Sequence, residues 1–128
     1  MCSSDLTLPE LSFVGATERQ LVDVHVPYVA GVAAYRNLLR GEVAGDCFGL
    51  LKLLVHADTR QILGVHILGT AAAELVHIGQ AAMAGGLTVD YFTEAVFNVP
   101  TFSDAYVDAA LDACARLRML DEEAVDAA

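Results

Sequence analysis

A chain of 128 residues is the size of one domain, long enough to bury roughly two thirds of the surface that its unfolded form exposes. Its 17 acidic against 7 basic residues leave a net charge of −10, which repels phosphate backbones and anionic headgroups and argues against nucleic acid and membrane surfaces as partners. Mean hydropathy is positive at +0.49, yet charge or glycine interrupts the apolar residues every few positions, and no run approaches the roughly 20 of a membrane span.

In chain order, the first element expected is a strand over residues 11–15, following Pro9 and ended by Gly15. Thr17 is a fitting helix N-cap and Glu18 lies in a first turn that favours negative charge; Leu21 and Val22 face inward until Pro27 forbids continuation. Residues 28–35, rich in Val, Ala and Tyr, read as a second strand that Gly31 weakens, with a helical alternative left open by the alanines. Residues 36–41 fit either a helical turn or an irregular connection, and Gly45 with Asp46 makes a turn. Two runs rich in Leu, Val and Ile, 47–55 and 62–68, flank residues 56–61 as a hairpin, with Lys52 and His66 at solvent or interface positions and Gly69 closing the second strand.

Residues 70–84 give the clearest helix. Thr70 can cap it, Ala72, Leu75, Val76, Gly79, Ala82 and Met83 recur at helical spacing, and Gly85 and Gly86 stop it. Ala71, Ile78 and Ala81 lie on other sides, as in a helix packed on its own sheet and on a second molecule. A short helix follows over 88–94. A final one runs over 103–120 with Tyr106, Val107, Ala110, Leu111, Cys114 and Leu117 inward. A single domain over residues 1–120 then ends in an acidic, Ala-rich tail, 121–128, expected to fray. The pattern describes an α+β domain of two layers, a mostly antiparallel sheet flanked by helices. Its surplus of apolar surface favours a homodimer.

Chemistry-bearing residues are sparse. Nothing matches GxGxxG or a P-loop, so no nucleotide cofactor is expected on this chain alone. His25, His56, His66 and His77 include no i, i+4 pair, and Cys2, Cys47 and Cys114 form no CxxC, so no metal is expected and a reducing cytoplasm fits best. The first residues lack a basic region followed by an apolar run and do not read as a secretory signal. Cys114 reads as a core residue and Cys2 as part of a loose terminus. His77, beside Glu74 and Ile78, is either a partly buried structural histidine or a partner-facing one. Ser103 and Asp104 are either an acid–base pair or the opening of the last helix, capped by Ser103 or Thr101. A small enzyme using His66 or His77 with Asp104, or a regulatory domain pairing with a longer subunit, is the competing class.

Several phrases in order then carry a resemblance: Thr7-x-Pro9-Glu10, Val14-Gly15-x-Thr17-Glu18, residues 62–69, Ala73-Glu74-Leu75-x-x-Ile78, and Pro100-Thr101-x-Ser103-Asp104. Together they resemble the C-terminal dimerisation domain of the pyridine nucleotide-disulfide oxidoreductases, over about residues 7–117. The phrases at residues 74–80 and 97–101 look most like the soluble transhydrogenase branch, with dihydrolipoamide dehydrogenase next. The resemblance implies about five strands, a two-fold dimer through the long helices (Glu74, His77, Ile78 and Ala81 here), and a flavin site shared between subunits. Asn98, Val99 and Pro100 would approach the partner's flavin, with the carbonyl of residue 98 or 99 near its pyrimidine edge. Disulfide-reducing members carry a His immediately before the Pro and a Glu four residues after it. This chain has Val99 and Asp104 at those positions, and valine transfers no proton, so no catalytic residue is expected. That departure agrees with members passing hydride between NADH and NADP through FAD. The FAD- and NAD(P)-binding domains lie outside these 128 residues, so the chain is expected to pair subunits and to be inactive alone.

Overall fold

The structure, a computed structural model, describes the backbone of residues 2–5 and all atoms of residues 9–128. Five antiparallel strands form one sheet in the order β1-β2-β5-β4-β3, with β1 Cys2–Asp5, β2 Leu11–Gly15, β3 Tyr28–Ala34, β4 Gly49–His56 and β5 Ile62–Gly69. Helix α1 (Glu18–Asp23) joins β2 to β3. A 3-10 turn (Tyr35–Asn37) and α2 (Leu39–Ala44) join β3 to β4, which settles the 36–41 connection as helical; α3 (Ala72–Ala84), α4 (Asp90–Glu94) and α5 (Asp104–Asp126) follow β5. The α+β expectation holds. The strand at residues 2–5, pairing Cys2–Asp5 with β2, replaces the loose terminus read from composition.

Register explains which face is core. The central hairpin pairs Leu51 with Ile67, Leu53 with Val65 and Lys52 with His66, and β2 sets Val14 beside Val65 and Phe13 beside His66. Alternation therefore turns Leu51, Leu53, Val55, Val65 and Ile67, each at most 0% exposed, toward the helices. Lys52 and His66 lie on the opposite face, where Lys52 pairs with Glu18 of α1 and the Tyr28 hydroxyl donates to the other Glu18 oxygen at 3.0 Å. That couples α1 to the sheet. Thr17 caps α1 as expected, and Gln20 completes a reciprocal capping box.

Helix α3 packs over β2 and β5, and α5 over β3 and β4. Gly31 is the reason α5 sits where it does: a Cβ there would overlap the Ala109 carbonyl and Ala113. The small residues Ala105, Ala109 and Ala113 therefore face the sheet, fully buried. This rotates Leu111 outward to 51% exposure and leaves Val107 only half-buried, against the expected inward set; Tyr106, Ala110, Cys114 and Leu117 are buried as expected. Asp112 then reaches the sheet's edge, where its carboxylate accepts the Val32 N–H at 2.9 Å.

Two further expectations are corrected. Thr70 does not cap α3: Ala71 occupies the N-cap in the left-handed region, and the Thr70 hydroxyl donates to the Asp46 carboxylate. The Glu10 carboxylate instead accepts the Ala73 N–H at 3.2 Å. Helix α5 runs past the expected end at Leu120 to Asp126, through Ala and Glu residues of high helix propensity.

Candidate functional site

The loop between α4 and α5 exposes Val96 and, at its tip, Asn98, Val99 and Pro100, with a cis Val99–Pro100 peptide. Each side of this tip is held by an aromatic stack. On one side half-buried Phe97 lies 6.2 Å from Phe92, and Phe92 stacks on Tyr106 at 4.7 Å. On the other, Phe102 stacks on fully buried Tyr35 at 4.8 Å, with the Arg40 guanidinium 6.0 Å from the Phe102 ring centroid. Tyr35 in turn donates its hydroxyl to the Thr70 carbonyl at 3.0 Å. Anchors of this kind hold a short exposed tip without using its side chains.

Beside the tip lies a cleft of about 220 Å³ lined by Val99, Asp104, Asp108, Asn37, Leu38 and Val107. Asp104 opens α5. Burial, and then the charge of Asp108 one turn along, push its carboxyl above the ordinary value. The Ser103 side chain makes no cap bond; the Thr101 hydroxyl oxygen accepts the Ser103 N–H at 3.1 Å. At this tip the arrangement offers a carboxylate and an apolar side chain, and Val99 itself has no proton to give or take.

The α3 residues singled out from sequence do share one side of the helix. Glu74, His77 and Ala81 are exposed and Ile78 half-buried, at spacings of three and four that stack them in a stripe. His77 Nδ1 lies 3.0 Å from Gln80 Oε1. His66 is committed elsewhere, its Nε2 2.9 Å from the Ala16 carbonyl and its ring stacked on Phe13 at 5.7 Å. Burial lowers its affinity for a proton. Neither histidine hydrogen-bonds Asp104, so the His–Asp constellation of the competing enzyme reading is not assembled among the described residues. Among those residues no three His, Cys, Asp or Glu side chains group closely enough to hold a metal ion, and no helix is long and apolar enough to cross a membrane.

Two residues were invisible to sequence reasoning. Glu10 acts on α3 from 63 positions away, a distance over which spacing carries no signal. Tyr106 was read only as core. Fully buried, it donates its hydroxyl to the Leu75 carbonyl at 2.7 Å and accepts the Gly79 N–H at 3.0 Å. A large polar-tipped residue among the alanines of α5 was the available clue, since a buried tyrosine hydroxyl needs partners.

Comparison with known proteins agrees with this geometry. Residues 3–110 match the pyridine nucleotide-disulphide oxidoreductase dimerisation domain. A soluble pyridine nucleotide transhydrogenase of Mycobacterium bovis is 54% identical over 116 residues, which are 91% of this chain and 25% of the relative. One from Hamiltonella defensa is 48% identical over 114 residues, 87% of this chain and 24% of the relative. Among solved structures, the HOCl-induced flavoprotein disulfide reductase RclA of Escherichia coli superposes with a TM-score of 0.81 at 26% identity, over 87% of this chain and 26% of that one. LpdA of Mycobacterium tuberculosis shares the fold at 20% identity, with a TM-score of 0.80. The chain thus spans about a quarter of the length of the curated relatives it matches.

Proposed function

The chain belongs to the pyridine nucleotide-disulphide oxidoreductase dimerisation-domain family, and on that premise we propose that it pairs subunits of a flavin-dependent enzyme of the soluble transhydrogenase kind. The paired unit is a homodimer in which the α3 stripe of Glu74, His77, Ile78 and Ala81 meets its two-fold mate. Asn98, Val99 and Pro100 would line the partner subunit's FAD. When bound, FAD would relay hydride between NADH and NADP; this chain's residues would supply a shaped, proton-inert wall beside it.

The observation that carries the reading is Val99 at the exposed tip, 64% accessible and flanked on both sides by aromatic contacts. A loop held this firmly is suited to contact, and a valine at its apex is unsuited to acid–base work on a thiol. The disulfide-reductase alternative, of the dihydrolipoamide dehydrogenase kind, needs the imidazole that this position lacks. The fit to FAD is that of an edge contact: the tip offers backbone and three small or apolar surfaces, while the carboxylate of Asp104 sits back in the cleft. On this reading the chain alone is expected to be inactive.

Sedimentation equilibrium at tens of micromolar tests the pairing, with a two-chain mass expected. A one-chain mass at that concentration refutes it.

A further inference from the structure

The buried Tyr106 hydroxyl binds both members of one helical rung of α3, donating to the Leu75 carbonyl at 2.7 Å and accepting the Gly79 N–H at 3.0 Å. Those two groups are four residues apart, the partners of an ordinary i→i−4 bond. Helix α3 runs unbroken over Ala72–Ala84, and the hydroxyl braces that rung from the side. The turn it braces contains His77 and Ile78 and lies within the stripe assigned above to subunit pairing. Gly79 leaves room for both β5 and the hydroxyl, since a Cβ there would stand 2.5 Å from Val65 Cγ2 and 2.9 Å from the Tyr106 oxygen. The same Tyr106 ring carries Phe92 at 4.7 Å, and Phe92 carries Phe97 at 6.2 Å, the anchored end of the exposed tip.

We propose that Tyr106 is a positioning residue that locks the subunit-facing turn of α3 to the tip at Val99, so that pairing geometry and tip placement are set together. The proposal rests on the pairing reading for its α3 half alone. Its physical basis is a continuous packed path, Gly79 to Tyr106 to Phe92 to Phe97, in which every step is a hydrogen bond or a ring contact. A hydroxyl with two fixed partners defines the depth and rotation of the ring, which packing by itself would leave free to slide.

The test is Tyr106→Phe in the full 128-residue chain. This variant keeps the ring, and it leaves no orphaned polar group because Leu75 and Gly79 can bond each other directly, so it should fold. Expected are shifted Phe97 ring and Val99 methyl resonances, and a dimer dissociation constant at least tenfold weaker. Gly79→Ala, whose Cβ crowds the Tyr106 hydroxyl and, more closely, Val65, should also shift the Phe97 and Val99 resonances. Leu117→Val, a buried substitution on the same helix away from α3, controls for general loosening and should leave the Val99 resonances in place. Wild-type values at Phe97 and Val99 in Tyr106→Phe, or equal changes in the Leu117→Val control, overturn the proposal, as does an unchanged dimer constant. Should the unaltered chain sediment as a monomer, the pairing reading fails by itself, and the lock between α3 and the tip stands or falls on Phe97 and Val99 alone.

Discussion

Val99→His restores at the tip the residue type whose absence distinguishes this chain, and the structure says what the new imidazole would feel. It would stand at the mouth of the cleft that Asp104 and Asp108 also line, about 220 Å³ in volume. At a separation of about 7 Å and an effective dielectric of about 60, two unit charges attract by about 0.8 kcal/mol, or about 0.6 of a pKa unit. Two carboxylates face the site, but Val99 is 64% exposed, so screening holds the combined effect to between about half a unit and one unit. The imidazole should therefore titrate near pH 7 rather than near its ordinary value of about 6.5. Proton NMR of its C2 hydrogen at physiological ionic strength reads this directly. In Val99→His combined with Asp104→Asn the elevation should fall by about half. A value at or below 6.5 in the single variant, or identical values in the two, would show that Asp104 does not face the tip, and the positional argument built on that cleft would fail.

Three further outcomes follow from the packing. Ile78→Asp should leave the monomer folded, since the position is only half-buried, while setting a charge into the proposed contact, a penalty of about 3 kcal/mol or roughly 100-fold in the dimer constant; an unaltered sedimentation profile would exclude that side of α3 as the contact. Gly31→Ala forces a Cβ onto the Ala109 carbonyl and Ala113, and should cost about 2–3 kcal/mol in urea unfolding as α5 is pushed off β3; an unshifted midpoint would contradict the close approach. His66 is held neutral chiefly by burial, so its contribution to stability is present above the unfolded-state value of about 6.5 and is lost as the pH falls below it. Urea midpoints at pH 7.5 and 5.5 should drop in the unaltered chain and drop less in His66→Gln, and equal drops would assign the effect to other groups.

The pairing of strands β4 and β5 was legible because two apolar runs flank a polar turn, a local pattern that marks both elements as a hairpin, whereas the register shift at Leu54 and Val55 was not. The α3 stripe was legible for the same reason, since helical spacing places residues 74, 77, 78 and 81 together whatever the rest of the chain does. The inward face of α5 was only partly so. Leu111 looked like core by hydrophobicity, yet closeness to Gly31 favours alanine at the contact and turns the leucine outward. The α3 cap was misread because Thr70 is a fitting cap by type, while the actual acceptor, Glu10, arrives from the segment just before β2.

The tip shows the same division. Sequence alone determined that Val99 precedes Pro100 and that proton transfer cannot occur through that side chain, because chemistry of that kind belongs to the residue type and needs no coordinates. It also determined the family, through several short phrases in order. Only tertiary structure decided what holds the tip in place. The stack of Phe102 on Tyr35, and the seat of the Tyr106 hydroxyl between Leu75 and Gly79, join residues 27 to 67 positions apart, and Phe97 meets Phe92 of the neighbouring helix α4. Such contacts depend on how helices settle on a sheet, and that is set by the sum of many weak packing terms rather than by any local pattern.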